Sequence, residues 1–314
     1  MDFVTIGETM AAFVPKEHGK LRYISDYQVR IAGAESNFAI GAKKLGCSAR
    51  WISRVGKDEF GEQVLRAVRA EGVEAYAAAD PDYRTGLMFK ETSEGSETKV
   101  TYYRENSAAS HLSPDDIREE WIADAKILHI TGITPVLSES CRETIDRAML
   151  IAEKHSVKIS FDPNIRRKLW KDRDYTELIR EYLSRAHYVL IGKDEAQVLY
   201  GTSEIERLRE ILFSSGRMEY LALKDGAKGA TVASKEKIFP IPPYPCNKVD
   251  PIGAGDAFDA AFLVGMLEGK PLSECGFYGA VAGAKATETR GDIEGYLLRE
   301  ELEQILGKQE TVYR

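Results

Sequence analysis

Asp250-Pro251-Ile252-Gly253-Ala254-Gly255-Asp256, followed at once by Ala257-Phe258-Asp259-Ala260-Ala261-Phe262-Leu263-Val264, decides how the chain is read. A Pro and two Gly interrupt the backbone just before an Ala-rich apolar run, so the run is expected to be a buried helix whose first turn holds Gly255 and Asp256. The backbone N–H groups of that turn have no intrahelical partners. With no side chain at Gly253 or Gly255 and only a methyl at Ala254, an anion can approach them closely, as phosphates do at helix N-termini. Asp256 in the same turn is unfavourable beside an anion unless it has a task. Taking the proton from an alcohol as it attacks phosphorus is such a task, and the combination suits a small-molecule kinase. Taken alone, the stretch is equally a helix cap on a tight turn. The Walker pattern is absent, and Phe258 stands where a dinucleotide fingerprint needs its third small residue.

Composition narrows the field. The 314 residues fall between one large α/β domain and two ordinary ones, with a net charge of −7 that argues against nucleic-acid or anionic-membrane partners. The segment Met1–Met10 has neither a basic region nor a long apolar run, so a cytoplasmic protein is expected. Cys47, Cys141, Cys246 and Cys275 are scattered without Cys-x-x-Cys spacing, which suits reduced thiols. The histidines are too dispersed for a His-rich metal site.

Short apolar runs at Phe3–Gly7, Lys126–Ile130, Lys158–Asp162, Tyr188–Ile191 and Tyr220–Lys224 alternate with helix-length segments, the pattern of a doubly wound, mostly parallel sheet. Ligands of such sheets sit at the carboxyl ends of the strands. Half-polar β-like runs at Lys20–Arg30 and Thr85–Arg104 predict a small β lid, drawn from about residues 11–32 and 85–106. Three strand ends carry polar chemistry: Asp162-Pro163-Asn164-Ile165-Arg166, Gly192-Lys193-Asp194-Glu195, and Lys224-Asp225-Gly226-Ala227-Lys228-Gly229.

Together these stretches resemble the ribokinase-like (PfkB) carbohydrate kinases over essentially the whole chain. Asp250–Asp256 matches the carboxy-terminal signature, and Ala32-Gly33, Asn37, Ala39, Gly46 and Gly56 match the amino-terminal one. Glu35 departs from it, standing where the general signature prefers a small residue. With Gly33–Asn37, Tyr102–Ser110, Gly132–Pro135, Asp162–Trp170 and Arg290–Asp292, the departure looks like the 2-keto-3-deoxygluconate kinase branch.

The resemblance implies a ribokinase-like α/β fold in one domain, 1–314, with ATP, Mg2+ and a monovalent cation such as K+ as cofactors. It implies a sugar-acid substrate and a homo-oligomer. Asp256 is implied as the base, with Gly253, Ala254 and Gly255 as the anion hole. Gly33, Ala34, Glu35, Asn37, Phe89, Tyr102, Tyr103, Arg104, Arg166, Asp256 and Asp292 are implied around the sugar. Asn164, Arg166, Lys193, Glu195, Lys224, Asp225, Gly226, Gly229, Gly253 and Gly255 are implied around the nucleotide. Glu195 is implied to reach the metal through water and Asp250 to support the loop or a cation. Gly192 takes the place of the family's usual Asn. A keto-sugar acid needs a fixed cation and flat polar surfaces, which Arg104 or Arg166 and the tyrosines supply. Two rivals stay open: a kinase for fructose, ribose or another keto-deoxy acid, and a catalytically silent sugar-acid sensor.

Overall fold

The computed structural model describes residues 1–91 and 99–307. Thirteen strands run in chain order: β1 (Phe3–Ile6), β2 (Met10–Pro15), β3 (Tyr27–Ala32), β4 (Ala49–Gly56), β5 (Glu74–Asp80), β6 (Leu87–Glu91), β7 (Lys99–Tyr103), β8 (Ile127–Thr131), β9 (Lys158–Asp162), β10 (Tyr188–Gly192), β11 (Tyr220–Lys224), β12 (Ala230–Ala233) and β13 (Ile238–Ile241). Nine form one sheet in the order β13-β12-β11-β10-β9-β8-β1-β4-β5. From β5 to β11 every pairing is parallel, and β12 and β13 close one edge antiparallel.

Parallel strands must be covered on both faces, and apolar residues of both parities supply the two cores. On one face Phe3, Trp51 and Leu190 pack with Phe38, Val64, Phe262 and Val281 of helices Ala34–Lys44, Glu59–Ala70, Ala254–Leu267 and Leu272–Ala286. On the other Val4, Ile52 and Val189 pack with Ile145 and Tyr182 of helices Glu139–Lys154 and Thr176–Arg185.

The lid is a separate four-stranded sheet, β3-β2-β6-β7. Its inner face is Met10, Ala12, Ala32 and Met88, with Val100 and Tyr102 packed against them. Its outer face is aromatic: Phe13 stacks on Phe89 at 4.5 Å and Tyr103 meets Phe89 edge-on at 5.6 Å. The run expected as β from Lys20 begins instead with a 3-10 turn at Leu21–Tyr23, and the strand starts at Tyr27. Residues 92–98, included in the expected lid, lie outside the described residues. All four cysteines are free thiols. Among the described residues no helix is long and apolar enough to cross a membrane.

Candidate active site

The helix predicted from Gly255-Asp256 runs from Ala254 to Leu267, and Gly253 precedes it with φ +83°, the left-handed conformation that favours glycine. The close approach is as tight as the conformation. A side chain at Gly253 would begin 2.1 Å from the Asp292 carbonyl oxygen. The Gly253 carbonyl in turn accepts from the Tyr296 hydroxyl at 2.8 Å. The loop is thus pinned by the segment 292–296, and Gly255 stays exposed.

Asp256 projects into a cavity of about 230 Å³ between this loop and the lid. Its Oδ2 accepts from Asn37 Nδ2 at 2.8 Å. Burial, with the Asp162 and Asp292 carboxylates adding to it, pushes the Asp256 carboxyl up to about 7 against the opposing Asn37 hydrogen bond and Arg166 charge. A carboxylate that titrates near neutrality is poised to take a proton from an alcohol.

Gly33, Ala34, Glu35, Asn37, Tyr102, Arg104, Arg166, Gly253, Asp256 and Asp292 all line this one cavity, although they come from both ends of the chain. Phe89 and Tyr103 do not. Side chains alternate along a strand, so Met88 and Tyr102, which are register partners, face inward while Phe89 and Tyr103 face outward. Their expected place at the sugar is corrected on that ground.

Two further expectations change because the side chains already have partners. The Glu35 Oε1 accepts from Thr131 at 2.6 Å and Thr134 at 2.9 Å, and burial raises this carboxyl. Glu35 therefore ties the helix start to the end of β8 instead of presenting its carboxylate to a ligand. Arg104 is bound by Glu8, Nε to Oε2 at 2.7 Å, and lies over the Tyr102 ring at 5.6 Å. Glu8 lines the cavity too and was missed, although it follows β1 directly and the strand-end rule points to it. Its Oε1 and the Asn37 Oδ1 are buried acceptors with no partner among the described residues. Arg166, in contrast, is exposed and has no ion pair among the described residues.

The nucleotide-side candidates gather at the ends of β9, β10 and β11. An adjoining cavity of about 520 Å³ is lined by Arg166, Arg167, Lys168, Asp194 and Glu195 together with lid residues. Glu195 accepts from Ile165 N–H at 2.7 Å and Gly192 N–H at 2.8 Å, which locks the loop after β9 to the loop after β10. Asn164 is buried in that locked loop with φ +39°. Lys193 pairs with Asp225 at 2.7 Å, while Gly226 and Gly229 shape the turn beyond.

Lys224 does not project toward a ligand. Its Nζ is held by Asp162 and Asp259, each at 3.0 Å. Burial opposes its charge, but the Asp162 and Asp259 carboxylates outweigh burial and keep it an ammonium. That ammonium sits 3.9 Å from where a Gly255 side chain would begin, under the phosphate turn. Held by two carboxylates, it braces the turn from below and makes no contact from above.

Asp250 lies at the entrance to the loop, where its Oδ1 accepts from Ile252 N–H at 3.2 Å. Its Oδ2 faces the Lys90 ammonium at 3.5 Å. A cation bound directly by Asp250 would meet that like charge, so the residues present do not fit one. Lys90 itself was missed. Among the described residues no three His, Cys, Asp or Glu side chains converge on a metal position.

A Gly-rich helix start beside a near-neutral carboxylate, facing a lidded cavity on a doubly wound sheet, is the arrangement of a sugar kinase. The profile of the pfkB family carbohydrate kinases matches residues 2–297. The chain belongs to the pfkB family of carbohydrate kinases. As a pfkB enzyme it is an ATP-dependent sugar kinase. It is 32% identical to the 2-dehydro-3-deoxygluconokinase of Bacillus subtilis over 100% of this chain and 98% of that one. It is 31% identical to the 2-dehydro-3-deoxygalactonokinase of Haloferax volcanii, over 97% of this chain and 96% of that one. The crystal structure of an E. coli protein described as a Ribokinase II, in complex with ATP and Mg2+, superposes with a TM-score of 0.89 at 25% identity, covering 98% and 99% of the two chains.

Proposed function

We propose that this pfkB kinase transfers the γ-phosphoryl group of ATP to the primary hydroxyl of 2-keto-3-deoxygluconate, giving 2-keto-3-deoxy-6-phosphogluconate and ADP. The observation that carries this reading is the exposed Arg166 guanidinium, without an ion pair among the described residues, on the wall of the cavity that holds Asp256. A carboxylate accepts two parallel N–H bonds from such a group. Because Arg104 is already neutralised by Glu8, Arg166 is the better partner for the acid end of the substrate. The unpartnered Glu8 Oε1 and Asn37 Oδ1 suit the substrate's hydroxyl donors.

At the other end of the substrate, the hydroxyl proton passes to Asp256 as its oxygen bonds to the γ-phosphorus. The bond from phosphorus to the bridging oxygen breaks, and ADP departs with that electron pair. The Gly253–Gly255 amides favour the anion in transit. Mg2+ would be held through water beside Glu195, whose oxygens each accept one backbone N–H and keep a lone pair. Such an ion supplies charge neutralisation on the phosphates.

The test is kcat/KM for 2-keto-3-deoxygluconate, its galacto epimer and fructose. The wild type should favour the gluco acid over fructose by about ten- to a hundred-fold, the cost of leaving a charged hydrogen-bond donor without its partner. Arg166→Ala should narrow that margin by weakening the acid more than fructose. Equal turnover of fructose by the wild type would make this a ketohexose kinase, and a preference for the galacto epimer would reassign the acid.

A further inference from the structure

Lid strand β6 turns Lys90 inward beside Met88, and the lysine is fully buried. Its Nζ lies 2.7 Å from Asp292 Oδ1 and 3.5 Å from Asp250 Oδ2. Burial opposes the charge, but the Asp292 and Asp250 carboxylates outweigh it and hold the ammonium above its ordinary range. Taking three charges out of water is costly, and for stability alone apolar residues would serve as well. The two carboxylates show what the arrangement controls. Asp250 fixes Ile252 N–H at the entrance to the phosphate loop, and the Asp292 carbonyl abuts Gly253. Asp292 Oδ2 also lies 3.4 Å from Asn37 Nδ2, the same amide that donates to Asp256.

Without Lys90, Asp250 and Asp292 would face each other as buried like charges next to Asp256, around a site that must admit a polyphosphate. A diffusible monovalent cation could compensate such a pair. We infer that Lys90 is a tethered cation that replaces a diffusible monovalent ion at Asp250, linking the lid to the geometry of the phosphate loop and of Asp256. Lys90 is therefore a positioning residue, and turnover requires no added K+ or Na+. The inference does not depend on which sugar is phosphorylated.

The experiment measures kcat and both KM values of the full chain in K+, Na+ or tetramethylammonium chloride at equal ionic strength, with all reagents as alkali-free salts. The phosphoryl acceptor is whichever sugar or sugar acid the wild type turns over best. Wild-type kcat should vary by no more than about twofold among the three salts. Lys90→Ala should lose at least about tenfold in tetramethylammonium, as expected when a charged partner is removed, and should recover saturably on adding K+ or ethylammonium. Lys90→Arg, which keeps the charge, should remain insensitive to the salt. A wild type that loses about tenfold or more without K+ overturns the inference, whatever the variants do. So does a Lys90→Ala enzyme that is unimpaired, or that is impaired and not rescued by either cation. If Lys90→Ala does not fold, the wild-type series and Lys90→Arg decide.

Discussion

Asp256→Asn is expected to lower kcat by about two orders of magnitude or more while leaving ATP affinity nearly unchanged, because a positioned base contributes at least that much. The amide has almost the shape of the carboxylate and still accepts from Asn37 Nδ2, which holds the wild-type group at 2.8 Å. What it loses is the capacity to take a proton. The pH profile separates this from a packing effect. Since the Asp256 carboxyl is pushed up to about 7, mainly by burial, the base form is depleted as pH falls through that value. Wild-type kcat/KM should therefore fall below neutrality, approaching about tenfold per pH unit, and the Asn variant should lack this limb. A wild-type profile flat down to about pH 5 would mean that Asp256 ionises as an ordinary carboxylate and is not the titrating base.

Gly253→Ala should be nearly as damaging for a different reason. At φ +83° a methyl group is strained by about 1–2 kcal/mol, and here it would also stand 2.1 Å from the Asp292 carbonyl oxygen. Backbone must move, and it carries either the phosphate loop or Asp292 with it. The expected result is a kcat lower by about a hundredfold, on the scale of losing one anion-hole donor, with a Tm lower by a few degrees. Gly269→Ala is the control, for Gly269 has φ +69° with nothing within 4 Å. It bears the conformational strain alone, so it should lower Tm modestly and leave kcat intact. If both variants keep wild-type kcat, the contact of Gly253 with Asp292 does not set the loop.

The central parallel strands were legible because each is an apolar run followed by polar residues, and the helix after Gly253 because Gly, Pro and a long apolar run coincide. The edge was not. Strand β5 carries four alanines among polar residues, and β12 and β13 are four residues each, too short to show a period. In the lid, alternation divides the side chains into two sets, but which set faces the body depends on what the body presents. That is why the sequence does not separate Tyr102 from Tyr103, although only Tyr102 reaches the cavity.

Ionic partners were hidden for a related reason. Lys90 meets carboxylates 160 and 202 residues away, and Arg104 meets one 96 residues away. No local pattern encodes such pairs. Lys224 and Glu35 stand where strand-end ligands should stand, but Asp259 and two threonines satisfy them first.

The brace between the Tyr296 hydroxyl and the Gly253 carbonyl has a bearing on synthesis. The phosphate loop leaves the ribosome 43 residues ahead of the side chain that pins it, a lag of roughly 2–9 s at about 5–20 residues per second. For most of that interval a nascent chain already owns Asp256, the glycines and the whole apolar helix behind them, but neither Asp292 nor Tyr296. Its catalytic parts exist before their geometry does. Competence to spend ATP is thus acquired only after the sheet that supports it has had time to form.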